Sequence, residues 1–291
     1  MASEAPSHPA ILLHDAVALS GRFPLLAGVD LEVAVGETVL IEGPNGAGKT
    51  SLLRVCAGLV ALASGEASVL GLDPVRQRNQ LRRRVGLLSH ASHLYDDLTV
   101  RENVKFAVRA AGGDTDRIAG ACERWGLAGR LLKTSASKLS AGQRRRVALA
   151  SLTARWPELW LLDEPHAGLD ASARDTLDRL IGDAGAAGVT VLIASHETEF
   201  VESLAARAVT VTGGRITGAR SIGAPSLGVP SLGAPSLGVP PLGPPSAGGL
   251  TGGPTDGLDA LPGPGPGSAG VAGPIAGPTA DRPAGEVAHV A

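Results

Sequence analysis

Gly43 to Ser51 reads GPNGAGKTS, which sets a lysine and a hydroxyl behind three glycines in the spacing G-x-x-x-x-G-K-[ST]. That order of residues suits phosphate. Gly43, Gly46 and Gly48 leave room for the backbone to wrap a triphosphate, so that successive N–H groups and the positive end of a following helix face anionic oxygens. Lys49 would meet the β- and γ-phosphates, and Thr50 would ligate magnesium. Pro44, Asn45, Ala47 and Ser51 complete the candidate nucleotide-binding run. Four further groups follow in order: His90, the run Leu139 to Gln143 (LSAGQ), the acidic pair Asp163 and Glu164, and His196.

These residues need elements to position them. The segment ETVLIEG before the loop is β-branched and apolar like a buried strand, and SLLRVCAGL after it carries apolar residues at helical spacing. Upstream, Ile11 to Leu19 and Val29 to Val35 read as short strands flanking the turn GRFP, a β layer ahead of the main sheet. Downstream, ASVLGL reads as a strand, RQRNQLRRR as a solvated helix face and VGLLSH as the strand leading to His90. Thr99 and Glu102 form a capping box that opens a helix running to Ala111. A second helix is expected from about Asp114 to Trp125, stopped by Gly126, and a third from Ala141 to Arg155, ending before Pro157.

The second half of the chain then reads as an open α/β sheet. ELWLLDEP is a buried strand carrying Asp163 and Glu164 at its end, and Asp170 caps the helix that follows. VTVLIAS is the next core strand, with His196 just past its C-terminal end, the edge where ligand chemistry gathers in such sheets. VTVTGGRITG closes the domain as a hairpin with a Gly-Gly turn.

Composition sets the limits. Fourteen of the 21 prolines but only five of the 54 Asp, Glu, Lys and Arg residues lie after Arg220. The expected organisation is a flexible leader over 1–9, one domain over 10–220, and a disordered tail over 221–291 that begins with SIGAP-type pentapeptide repeats. A net charge of −2 argues against nucleic acid as a partner. Cys56 and Cys122 fall inside expected helices without paired spacing and read as reduced core thiols. The N-terminus lacks the anatomy of a signal peptide, and no apolar run reaches the length of a transmembrane helix, so any membrane role must come through a partner.

Taken in order, the motifs resemble the ATP-binding cassette (ABC) family over about residues 10 to 218. LSAGQRRRVALA resembles its signature helix, LWLLDEP its Walker B strand, HAGLD its D-loop and IASH its switch histidine. The resemblance implies an α/β fold: a P-loop NTPase with an ABC-type core sheet, an N-terminal antiparallel β layer and a helical signature subdomain over about 90–155. It implies ATP and Mg2+ as cofactors. Asp163 would hold magnesium through its water shell with Thr50, Glu164 would polarise the attacking water, and His196 would sense the γ-phosphate. The family usually has glutamine where this chain has His90, a position that contacts magnesium and water and relays nucleotide state. The aromatic that stacks on adenine in the family falls near Ser20, where Phe23 is the nearest aromatic.

Ser140, Gly142 and Gln143 open a helix and so form a second anion site, with Asp170 in the D-loop beside it. By the family's geometry this site serves the ATP of a second cassette packed head to tail, a homodimer or a paralogue. The resemblance further implies a separate integral membrane permease, held at the cytoplasmic face of the membrane, whose short helix docks against His90 to Leu98, where Tyr95 offers an aromatic body with a polar tip. Nearest in pattern are the ATPase subunits of haem exporters used in cytochrome c maturation. Alternatives are an exporter ATPase for a drug-like or lipid cargo, a soluble non-transport ABC ATPase, and a scaffold that binds ATP without turnover. The soluble classes carry long heptad arms, paired cassettes or cysteine-rich modules that this sequence lacks, and a scaffold is expected to lose Lys49, Glu164 or His196.

Overall fold

A computed structural model describes residues 8–196 and 201–223. Most of the leader and the tail from residue 224 onward, whose disorder was expected from composition, lie outside the described residues. Among the described residues nine strands and six α-helices follow in order: β1 (Ile11–Ser20), β2 (Phe23–Val33), β3 (Thr38–Glu42), α1 (Lys49–Cys56), β4 (Ser64–Val69), α2 (Arg78–Arg84), β5 (Val85–Leu88), α3 (Val100–Ala110), α4 (Arg117–Arg124), α5 (Ala141–Arg155), β6 (Leu159–Asp163), α6 (Ala171–Ala186), β7 (Thr190–Ala194), β8 (Arg207–Thr212) and β9 (Arg215–Ser221).

Two sheets divide the strands. The first is antiparallel in the order β2-β1-β4, the expected β layer. The second runs β5-β6-β7-β3-β8-β9, parallel throughout except for the terminal β9. Its central strands are buried on both faces, and alternate residues enter two different cores, as the two-residue period of a strand requires. Val39, Ile41, Leu159, Leu161 and Leu192 join the core beneath the antiparallel sheet and α1. Leu40, Trp160, Leu162, Val191 and Ile193 join the core under α3 to α6. The phosphate-loop strand therefore lies in the middle layer, clamped from both sides.

The expected boundaries mostly hold, and the exceptions have local causes. β2 begins at Phe23 rather than near Val29, because the tight turn at Gly21 and Arg22 lets Ser20 pair directly with Phe23. Val35 falls outside the strand and is exposed. α4 starts at Arg117, later than Asp114, because the Asp114 carboxylate accepts the Asp116 N–H at 2.9 Å and holds a turn there. β9 extends through Ser221, and the Ile222 N–H donates to the Ala206 carbonyl, so the folded edge runs two residues past Arg220. Trp156 ends α5 in the left-handed conformation just ahead of Pro157 and packs edge-on against buried Trp160. Both capping boxes, Thr99 with Glu102 and Ser140 with Gln143, are present. The β8–β9 hairpin turns at Gly213 and Gly214, both with positive φ. α2 buries only Leu81, as a solvated basic helix should. Cys56 and Cys122 are unpaired and buried, and desolvation lifts their thiols to about 12 and about 11, which leaves them unreactive at neutral pH. Among the described residues no helix is long and apolar enough to cross a membrane.

Asn103 is a buried polar residue that the sequence reading passed over. Only 4 % exposed, it accepts the Tyr95 N–H at 2.8 Å and donates to the carbonyls of Tyr95, Leu98 and Thr99 at 3.0, 3.1 and 3.1 Å. It ties the loop that follows β5 to the first turn of α3. Asn103→Leu is therefore expected to lower stability by about 2 kcal/mol, although it adds apolar surface, because it strands backbone groups in the interior. Urea unfolding checks this, and an unchanged midpoint would contradict it.

Candidate nucleotide site

The parallel order β6-β7-β3 brings three strand ends to one edge. Ala194 at the end of β7 is in register with Ile41 of β3 on one side and Asp163 of β6 on the other. The chain leaving β3 folds into the glycine loop and enters α1 at Lys49, with Gly48 as its N-cap at φ 111°. Gly43 has φ 142°, and a Cβ there would lie 2.1 Å from the Val211 carbonyl oxygen of β8, so no larger residue fits without moving that strand. The first turn of α1 carries no acidic side chain, which leaves its N–H groups and positive dipole end for an anion.

Lys49 is buried, with Nζ donating to the carbonyls of Gly43 and Pro44 at 2.7 and 3.2 Å. Its ammonium is thus held across the mouth of its own loop. The Thr50 hydroxyl lies 3.1 and 2.9 Å from the two carboxylate oxygens of Asp163. A hydroxyl beside a carboxylate is a hard-oxygen donor pair of the kind that magnesium takes, with substrate oxygens and waters filling the remaining positions. Asn45 to Ser51, His90, Asp163 and Glu164 line one cavity of about 380 Å3, and Leu25 of β2 closes a side of it.

Glu164 follows Asp163 with a left-handed backbone, φ 46°. Its N–H donates to the Ala194 carbonyl at 2.8 Å, so the turn is pinned to the end of β7. One carboxylate oxygen stands 2.8 Å from Nδ1 of His196, and the other is approached by the Ser195 hydroxyl at 3.4 Å and the His196 N–H at 3.5 Å. The sequence reading placed His196 near the γ-phosphate and did not foresee its pairing with Glu164. Behind them lies Arg145 of α5, only 5 % exposed. It donates to the Ser89 carbonyl at 2.5 Å and to the carbonyls of Asp163 and Glu164 at 3.0 and 2.6 Å. Burial draws its guanidinium pKa down, opposed by the charges of Asp163 and Glu164. Arg145 was also missed, and its signal was helical phase: with Leu149 and Leu152 it lies on the buried stripe of α5.

The remaining candidates gather elsewhere. Ser140 caps α5, accepting the Gln143 N–H at 3.2 Å while its own N–H donates to the Gln143 side chain at 3.0 Å. Gly142 packs so closely under the D-loop that a Cβ would lie 3.1 Å from the Gly168 carbonyl. Asp170 caps α6 through the Ala173 N–H at 2.9 Å and accepts a hydrogen bond from Arg146. Ser140, Gly142, Gln143 and Asp170 are not among the residues lining the Lys49 cavity. His90 lines that cavity and also a second one of about 460 Å3, shared with His93, Ala141, Arg144, Arg145, Ala167 and Gly168. Phe23 stands 78 % exposed at the head of β2 and lies outside the cavity wall that Leu25 helps to form.

Comparison with known proteins agrees with this geometry. The ABC transporter family model matches residues 26–167. The chain is 42% identical over 194 residues to the cytochrome c biogenesis ATP-binding export protein CcmA of Aromatoleum aromaticum, covering 66% of this chain and 90% of that protein. It is 36% identical over 203 residues to the glutamine transport ATP-binding protein GlnQ of Escherichia coli, covering 67% of this chain and 85% of that protein. In fold it matches the dimeric post-hydrolysis ATP-binding cassette MJ0796 bound to ADP and phosphate, with a TM-score of 0.68 and 23% identity, over 74% of this chain and 99% of that one. The loop, the acidic strand end and the capped α5 thus have the sequence likeness their arrangement calls for, and the chain belongs to the ABC transporter family as one of its ATP-hydrolysing cassettes.

Proposed function

We propose that residues 10–222 form one cassette of a dimeric motor that drives a membrane transporter from the cytoplasmic face. The observation that carries this reading is the meeting of Lys49, Thr50, Asp163 and Glu164 on one cavity, with the start of α5 outside it. On this reading Gly43 to Ser51 bind the phosphates of ATP. Thr50 and Asp163 would hold magnesium, with His90 at the rim, and the ion would supply charge neutralisation to the phosphates. Glu164 orients the attacking water, held in place by His196, which also faces the γ-phosphate. Ser140, Gly142 and Gln143, with Asp170 beside them, present α5 to the ATP of a second cassette.

The cargo reading is haem export for cytochrome c maturation. It is supported by the likeness to CcmA, by LSAGQRRRVALA and by histidine at position 90. The docking surface for the permease is the groove of about 260 Å3 that Tyr95 shares with Leu94 and Phe106. Tyr95 is 54 % exposed and meets Phe106 edge-on at 4.8 Å, so part of its ring packs and part remains presented. An apolar ring rimmed by polar atoms is the sort of anchor that interfaces favour.

Three outcomes are expected. Lys49→Ala abolishes tight ATP binding, whereas Glu164→Gln keeps binding and lowers turnover by about a hundredfold or more; near-normal hydrolysis in both variants would sink the reading. Tyr95→Ala spares the ATPase rate of the isolated subunit and removes its stimulation by the permease; loss of the isolated rate with partner binding intact would assign Tyr95 to packing instead. Deleting the gene from its host should deplete haem-loaded c-type cytochromes, and unchanged levels would remove the haem cargo while leaving the motor reading in place.

A further inference from the structure

The backbone of Glu164 is a left-handed non-glycine turn, a conformation that persists only where its surroundings fix it. Two hydrogen bonds do so from opposite sides. Its N–H is held by the Ala194 carbonyl of β7, and its C=O is held by the Arg145 guanidinium at 2.6 Å. The same guanidinium takes the Asp163 carbonyl and reaches 56 residues back along the chain to the Ser89 carbonyl, next to His90. Arg145 therefore ties two segments that line the nucleotide site, the end of β5 and the Asp163–Glu164 turn, to the helix that Ser140 caps.

A structural role alone accounts poorly for this side chain. Burying a guanidinium against carbonyls is costly, and an apolar side chain of similar volume often serves a core as well or better. Here the Nε atom also lacks a hydrogen-bond partner, so the site carries an unpaired buried polar atom in addition. What an apolar replacement could not supply is a planar fork of donors that fixes the Asp163 and Glu164 carbonyls together.

We infer that Arg145 is a positioning residue for hydrolysis: it holds the Glu164 backbone in the turn that aims its carboxylate, and it makes that aim depend on where α5 sits. The inference rests on the proposed role of Glu164. A cassette whose α5 is displaced would bind ATP through Lys49 as before but would not orient the water.

The test uses the full chain and compares wild type, Arg145→Lys, Arg145→Met and Glu164→Gln. Steady-state hydrolysis gives kcat and KM, and titration with a non-hydrolysable ATP analogue gives Kd and the number of competent sites used to normalise kcat. A small displacement of a catalytic group costs one to two decades in rate, so kcat per site should fall about tenfold or more in Arg145→Met. It should fall less in Arg145→Lys, which keeps the charge but carries its donors on a single nitrogen. KM and Kd should stay within about threefold of wild type. A wild-type kcat per site in Arg145→Met would overturn the inference, because a merely structural arginine lowers the number of sites and not the rate at each. Parallel losses in binding and rate would overturn it as well. If Glu164→Gln itself turned over normally, the reading of Glu164 would fail and the inference with it, an outcome recognisable without the Arg145 variants.

Discussion

Parallel pairing of β3 and β6 on either side of β7 is the constraint from which the rest of the site follows. A parallel sheet aligns strand ends, so the glycine loop, the acidic pair and the residues after Ala194 arrive at one edge in fixed register. Burial on both faces then holds that register, because a slip by one residue would exchange the two cores that alternate along Val39, Leu40 and Ile41. Phosphate chemistry at this edge needs little from any single side chain. It needs donors, a hard-oxygen pair and an oriented carboxylate at the correct separations, which the sheet supplies.

How much of this was legible in the sequence depends on how local each determinant is. The phosphate loop, both capping boxes, the Gly-Gly hairpin and the end of α5 before Pro157 are fixed by neighbours a few residues apart, and each was read correctly. Elements such as α4 and β2 were found but misplaced at one end, where an Asx turn and a tight hairpin shift the start by a few residues. Arg145, Asn103 and Leu25 escaped because their partners are not adjacent in sequence. The Ser89 carbonyl is 56 residues from Arg145, and no periodicity encodes that contact. The pairing of His196 with Glu164 belongs to the same class: both strand ends were identified, but only the order of the sheet makes β6 and β7 neighbours.

The arrangement separates two helix starts within one chain. Lys49 and the start of α1 face one cavity, while the capped start of α5 lies under the D-loop and contributes nothing to that wall. Between them runs a continuous set of contacts: α5 carries Arg145 to the Glu164 backbone and Arg146 to Asp170, and Arg144 binds Asp96 in the loop beneath the Tyr95 groove. A shift of α5 would therefore reach the Glu164 turn, the D-loop and the loop at Asp96 at once, which on the proposed function is the coupling a transport motor needs.

The claim that ties these parts together is that ATP is completed by the α5 start of a second copy. Sedimentation velocity of the Glu164→Gln protein, run with and without magnesium and ATP, tests it most directly, because on the proposed role of Glu164 this variant would hold ATP unspent. The account predicts a monomer without nucleotide and a dimer with two trapped ATP molecules when both are added. A chain that remains monomeric while saturated with ATP would contradict it.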